Sequence, residues 1–383
     1  MKKTLIFLLI LAVAGGVFAQ DLKLTGEAKM GLGVRYDTSS EEAHLIPFGR
    51  DSEQGVHFRL NGAYATEGDT AGVKFRLQQR AEFTVPYAFG YVNVFNNLLT
   101  LQGGLIDDGT FNSGGGILDS DAGEGVGTNI LVKPIEGLVI GGGAYAASGV
   151  GHLKSLPKLG DAKYTAGFSY AMPDLFKIVT SFRTKNWIQG TENLGESVLN
   201  EQNQLIVGAN ILALSNMGLN LVLEGRFTSL GEDKELDIDG FATIGYAKDA
   251  LSAGLNFALY QADINADDVP DPIIAFWLYG SYAVSDNIVP RLDVAIKLND
   301  TTITDGYKWH HKHFTRNADA TGDPDQMLLS FKPAVLLKID ANNSIEIGDQ
   351  LSVQLNKDKG YGPKLDKDSN IVNSFYIDYV FKF

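Results

Sequence analysis

The chain is 383 residues long and carries a formal net charge of −14 at pH 7, with 46 Asp and Glu against 32 Lys and Arg. Such an acidic composition argues against nucleic acid as a partner, and the absence of cysteine excludes a disulfide scaffold. No segment after the first residues is an unbroken apolar run of the roughly 20 residues that a membrane-spanning helix needs.

In chain order, Met1-Lys2-Lys3 is a short basic region, Leu5 to Val13 is apolar, and Val17-Phe18-Ala19 ends in a small residue where a signal peptidase cleaves. The pattern predicts a secretory signal over residues 1–19. Its apolar stretch is too short to span a bilayer, and no cysteine follows to carry a lipid anchor. One domain over residues 20–383 is left, with a formal charge of −16 once Lys2 and Lys3 are subtracted from −14.

From Leu22 onward the dominant signal is period-two alternation, which sends successive side chains to opposite faces of a strand. Val73, Phe75, Leu77, Ala81 and Phe83 share one face, while Lys74, Arg76, Gln78, Arg80 and Glu82 share the other. The same split recurs at Leu219, Leu221, Leu223 and Phe227 against Asn220, Glu224, Arg226 and Thr228, and again at Leu292, Val294, Ile296 and Leu298.

The connections sort into two kinds. Short breaks fall at Glu67-Gly68-Asp69, Asn96-Asn97, Pro134 to Gly137, Pro173-Asp174, Ser215 to Gly218, Lys248-Asp249, Ser285 to Asn287 and Ala341 to Asn343. Between them lie longer polar segments: Asp37 to Gln54, Asp107 to Gly125, Ser148 to Asp161, Gln189 to Glu201, Thr301 to Gln326 and Asn356 to Asn370. Val85-Pro86, Gly231 to Asp237 and Asp263 to Asp271 read as shorter members of that second set. Strict alternation of short and long connections is what a barrel with tight turns at one rim and loops at the other must show. The count gives about eighteen strands, with sixteen as the alternative. Lipid offers no partner for a backbone N–H or C=O, so an apolar outer face without a spanning helix demands closure. The expected fold is all-β, a transmembrane antiparallel β-barrel.

The chain ends Asn373-Ser-Phe-Tyr-Ile-Asp-Tyr-Val-Phe-Lys-Phe383, with Phe375, Ile377, Tyr379, Phe381 and Phe383 on one face. An alternating aromatic strand with a terminal Phe resembles the assembly signal of bacterial outer-membrane proteins. In strand number, loop alternation, leader and terminal Phe, the region 20–383 resembles a porin-class barrel. The resemblance implies the outer membrane of a diderm bacterium, contact with outer-membrane lipids, reading by the barrel-assembly machinery, and a homotrimer.

A barrel of this size leaves an aqueous lumen. Lys29 and Arg35 fall on the inward face of the first strand, His57 and Arg59 on the second, Lys74, Arg76 and Arg80 on the third. With strands about 4.8 Å apart, Arg59, Arg76 and Arg80 should form one cationic patch. The third loop of porins folds into the pore with its carboxylates towards a basic wall. The segment Asp107 to Gly127, with Asp107, Asp108, Asp119, Asp121 and Glu124, resembles it. A solvated acidic loop remains the alternative. His310, His311 and His313 beside Trp309 read as a solvated loop tip rather than a metal site. Gly114 to Gly116 and Gly141 to Gly143 open no βαβ unit, so neither cradles a phosphate, and no spacing suggests a nucleophilic triad. No enzyme, metal or cofactor is expected. The expected activity is passive diffusion of small hydrophilic solutes or ions through a water-filled lumen. The alternatives are a surface adhesin on a barrel scaffold, a substrate-specific channel or a hydrophobic-compound transporter.

Overall fold

Several short connections turn on residues that accept a left-handed backbone: Asn96 and Asn97 (φ 54° and 66°), Gly137 (78°), Asp174 (61°), Gly218 (76°) and Asp249 (52°). Glycine and short polar residues adopt that conformation at least cost. These tight reversals gather at one rim of a closed sheet, here called the turn rim, and the longer connections gather at the other.

The computed structural model describes residues 22–38, 41–46, 57–79, 83–113, 123–146, 162–184, 203–230, 235–261, 264–266, 269, 271–299, 326–356 and 371–383. These form nineteen strands in one antiparallel sheet. β1 is Lys23–Asp37, β2 Glu42–Ile46, β3 His57–Ala65, β4 Ala71–Gln79, β5 Phe83–Val94 and β6 Leu99–Asp108. There follow β7 (Gly123–Ile135), β8 (Leu138–Tyr145), β9 (Lys163–Met172), β10 (Phe176–Arg183), β11 (Asn203–Ile211), β12 (Leu219–Leu230) and β13 (Glu235–Lys248). The last six are β14 (Leu251–Gln261), β15 (Ile273–Tyr282), β16 (Ile288–Leu298), β17 (Gln326–Lys338), β18 (Asn343–Asn356) and β19 (Ile371–Lys382). From β3 onward each strand pairs with the next in sequence, and β19 pairs with β1 to close the ring.

The extra strand comes from a split. β1 pairs with β3 near the turn rim, Lys29 facing His57, and with β2 near the loop rim, Gly33 facing Ile46. Continuing the β3 register, Gly33 would face position 53, so the two registers differ by seven residues. β2 and β3 share one place in the wall, and the ring has eighteen positions. The first long connection was expected over Asp37 to Gln54; the structure gives part of it to the wall as β2.

Alternation puts an apolar belt outside. Ile130, Ile178, Leu223, Ile244, Leu278, Phe331 and Phe375 are all exposed. An apolar surface of this extent belongs in lipid rather than water. Tyr170, Tyr246, Tyr282 and Phe381 sit on the outer face near the turn rim, the place of an aromatic girdle. Inside, buried polar residues such as Gln102, Asn129, Gln204 and Gln350 alternate with them, joined by an apolar cluster of Ile206, Phe241, Tyr260 and Ile273.

Two expectations need correction. Val85-Pro86 is no loop: it lies within β5, where the register against β4 shifts between Arg76 and Gln78. Proline has no N–H for a ladder and is tolerated in sheets at such irregularities. The third long connection is shorter than Asp107 to Gly127, because β6 runs on to Asp108 and β7 begins at Gly123.

The chain end seals the ring. The Gly26 N–H donates to the Phe383 carbonyl at 2.7 Å, and the Phe383 N–H donates back to Gly26 at 3.0 Å. The Phe383 ring occupies the space where any side chain at residue 26 would stand, and stacks on Phe58 at 6.2 Å. Phe375, Ile377, Tyr379, Phe381 and Phe383 share the outer face of the last strand and its final residue.

Candidate functional site

The inner wall of β1, β3 and β4 carries cations, exposed at Lys74 and half-buried at Lys29, Arg35, Arg59 and Arg76. Strand pairing sets Glu27 opposite Arg59, Arg59 opposite Gln78, and Arg76 between Asn61 and Tyr87. Arg59 Nη1 lies 3.3 Å from Glu27 Oε1 and its Nε donates to Gln78 Oε1 at 3.3 Å. Lys29 Nζ reaches the same Glu27 oxygen at 4.0 Å. Arg76 Nε donates to Asn61 Oδ1 at 2.7 Å, and its guanidinium sits 4.9 Å from the centre of the Tyr87 ring. Lys74, which is exposed, stands 5.7 Å from the centre of the Tyr91 ring. A cation over a ring face gains about 0.5–1 kcal/mol at an exposed site, far less than a carboxylate would supply in a dry site. Among the described residues no carboxylate pairs with Lys74 or Arg76.

Arg35 lies on the same inner face, between Ser374 of β19 and His44 of β2. Arg80 lies outside the described residues. The expected patch therefore includes Arg59 and Arg76 on adjacent strands, with Glu27 already answering Arg59. Glu27 was missed although alternation alone sets it on the inner face beside Lys29.

The acidic residues separate. Asp108 faces inward: it accepts from Gln102 Nε2 at 2.5 Å and from the Thr110 N–H at 2.9 Å, while Asn129 Nδ2 donates to Gln102 Oε1 at 2.9 Å. Asp107 is a correction. It shares its face with Leu101 and Leu105, outside the barrel and exposed, because β6 extends further than expected and keeps its alternation. Glu124 is part of β7, in register with Asp107. Asp119, Asp121, His310, His311 and His313 lie outside the described residues.

After Asp108 the chain turns inward and follows the inner wall. Gly104 and Gly125, on facing strands below this departure, have φ of 129° and 118°, which only glycine adopts without strain. Phe111 is fully buried against Leu131 and Val139 on the inner faces of β7 and β8. On β9, a Cβ at Gly167 would come within 2.9 Å of the Phe111 ring. Next, Lys177 of β10 donates to the Asn112 carbonyl, Asn210 of β11 donates to the Ser113 carbonyl at 3.3 Å, and the Ser113 hydroxyl donates to Glu224 of β12. The segment Gly109 to Ser113 thus crosses from β6 to β12 along the inside of the wall. Nothing in the local sequence signals these contacts, whose partners lie up to 111 positions away.

The closed order fixes what faces what. In a ring of eighteen positions β3 stands across from β12 and β4 across from β13. Arg76 lies five residues up from Ala71, and Glu224 five residues up from Leu219, so they sit at similar heights. Behind Glu224, Arg226 Nη2 pairs with Asp239 at 2.5 Å. Such a ring is roughly 35 Å across its backbone at 4.8 Å per strand and a tilt near 40°. Side chains leave about 20 Å between the charged walls, more than twice the Debye length of about 8 Å in physiological salt. Wall-to-wall attraction is screened; only a segment inside the lumen brings opposite charges within range.

No protein-family model matches the chain, and no curated protein does. Solved structures do match its fold. Pseudomonas aeruginosa OccK2 (OpdF), crystallised in complex with glucuronate, superposes with a TM-score of 0.56 at 11% identity, covering 95% of this chain and 99% of that one. A BenF-like porin from Pseudomonas fluorescens Pf-5 gives 0.55 at 11% identity, over 95% and 98%. Pseudomonas aeruginosa OpdO gives 0.54 at 12% identity, over 95% and 97%. With its closed ring, apolar belt and segment folded into the lumen, the chain has the fold of the porin-class barrels of the outer membrane.

Proposed function

We propose that the chain is an outer-membrane channel that lets small hydrophilic solutes diffuse through its lumen and favours anions. The observation that carries this reading is the inner wall at exposed Lys74 and half-buried Arg76, cations with no carboxylate partner among the described residues. Arg35 and Arg59 extend the same wall. Arg80 and the loop carboxylates Asp119 and Asp121 complete a constriction in which solutes pass between acidic loop and basic wall, with Asp108 at the loop's root. Glucuronate, the solute held by OccK2 (OpdF), is an anionic sugar acid, and a solute of that chemistry suits a wall of this charge. In the same reading residues 1–19 are a cleaved leader, the face bearing Phe375 to Phe383 is recognised by the barrel-assembly machinery, and the working form is a homotrimer.

The test is purified protein in a planar bilayer. Stepwise ohmic conductance with an anion-selective reversal potential is expected in a salt gradient. A unit charge about 4 Å from a passing ion is worth about 1 kcal/mol in water, roughly fivefold in its occupancy. Reversing both Lys74 and Arg76 to Glu should therefore move the reversal potential across zero to cation selectivity. A silent protein would favour an adhesin, and block by a single solute class a substrate-specific channel.

A further inference from the structure

The apolar belt has a break on the last strands. Ile345, Ile347, Leu351, Val353 and Leu355 of β18 face outward, and Asp349 stands among them, midway along the strand. Asp107 and Lys248, also charged and on the outer face, lie at the ends of their strands. Asn373 of β19 donates through Nδ2 to Asp349 Oδ2 at 3.2 Å. Among the described residues, Asp349 Oδ1 and the second amide hydrogen of Asn373 have no partner. The register of β17 and β18 sets Pro333 opposite Asp349, and the ladder is interrupted there because proline has no N–H to give. Around the pair, Phe331, Phe375 and Ile377 are exposed.

We infer that this face of β17–β19 is where neighbouring copies of the chain meet around a three-fold axis, each Asn373 donating its second N–H to the next copy's Asp349. Lipid offers a carboxylate no donor, so Asp349 is costly in a lone barrel. A copy of the same face supplies what is missing. One unused donor and one unused acceptor stand side by side on adjacent strands, so each copy gives one bond and takes one, and the ring closes. Amides alternate with carboxylates around it, so no two charges meet directly. Rotation about the Cβ–Cγ bond of Asp349 exchanges its two oxygens, and either can therefore face the neighbour. Phe331, Phe375 and Ile377 add packing around the ring, but lipid tails match them equally well, so the polar pair decides which face is covered. The inference rests on the homotrimer reading and names the face that joins the copies.

The experiment extracts the whole chain from membranes in mild detergent and measures its mass by light scattering, beside Asp349→Leu and Asp349→Leu combined with Asn373→Leu. Leucine suits a lipid-facing position, so the variants should keep the heat-modifiable mobility of the folded barrel. Their trimers should dissociate about tenfold more readily for each hydrogen bond to a carboxylate that is lost. Cross-linking then locates the contact, since the chain has no cysteine of its own. In membranes treated with copper phenanthroline, Phe375→Cys should give disulfide-linked pairs, and adding Asp349→Leu should remove them. Ile178→Cys, exposed on β10 across the barrel from β19, should give none. Trimers that survive both leucine exchanges, or that cross-link through Ile178→Cys and not through Phe375→Cys, would overturn the face and leave the trimer standing. A wild-type chain that is monomeric in detergent and cross-links at neither position would instead remove the homotrimer reading, and this inference with it.

Discussion

At the scale of single residues, the inner wall of the last strands is held by one tyrosine. Tyr376 is 2% exposed, donates to Glu346 Oε1 at 2.9 Å, and lies over Gly348, where no side chain would fit. Glu346 also accepts from Arg291 at 2.7 Å, and Lys332 stands 5.5 Å from the centre of the Tyr376 ring. Gly348→Val would push that ring off β18 and break the network at its hub. Overpacking usually costs about 1–3 kcal/mol, and urea unfolding in detergent micelles should show a loss of that order. A negligible change would mean that the ring is dispensable. A second residue acts at the turn rim. Asp340 Oδ1 accepts from the N–H of Asn342 at 2.7 Å and of Asn343 at 2.8 Å, and from the Asn343 side-chain amide at 2.9 Å. The backbone bond from Asn342, then the Asn343 amide, hold its carboxyl below the usual range for aspartate. A depressed folded value makes the turn's added stability present above the unfolded pKa of about 3.9; it is lost as pH falls through the lower folded value. Amide protection at Asn342 and Asn343 should drop over that acidic window, and Asp340→Ala should remove the drop.

At the scale of elements, what could be read from the chain depended on whether the cause was local. Asn96-Asn97, Asp174, Asp249 and Gly218 announce turns because the backbone they adopt suits few other residues, and all eight short connections fall at or within a few residues of their predicted places. Strand faces were legible for the same reason, since alternation needs nothing beyond neighbours. Pro86 misled because proline usually punctuates, and only the pairing with β4 reveals that it sits where the register slips. The division of the second strand into β2 and β3 is equally invisible in local pattern, because a slip of register belongs to two strands at once. Asp107 was assigned to the loop because the end of β6 was expected two residues early, and in the strand it stands on the outer face. The seat of Phe111 and Ser113 lay furthest out of reach, being built from residues of six strands.

At the scale of the whole molecule, charge is sorted by place. The chain is acidic overall, yet the inner wall of β1 to β4 presents Lys29, Arg35, Arg59, Lys74 and Arg76 against Glu27. The conductance, its sign and its response to Lys74→Glu with Arg76→Glu belong to this scale. They depend on the bore and on which wall water reaches, and no one strand sets either.

Closure has a consequence of its own. Gly26 and Phe383 exchange two backbone hydrogen bonds, so the two ends of the ring stand side by side, and the strand order around the barrel has no privileged start. A circular permutant, with Phe383 joined to the first strand through a short glycine-rich linker and new ends opened at Asp249-Ala250, keeps every ladder described above. It should refold from urea into micelles with the heat-modifiable mobility of the parent. It would also bury the terminal phenylalanine in mid-chain, so a permutant that refolds in the tube and fails to reach the membrane in cells would show that folding and address are written in separable parts of one polypeptide.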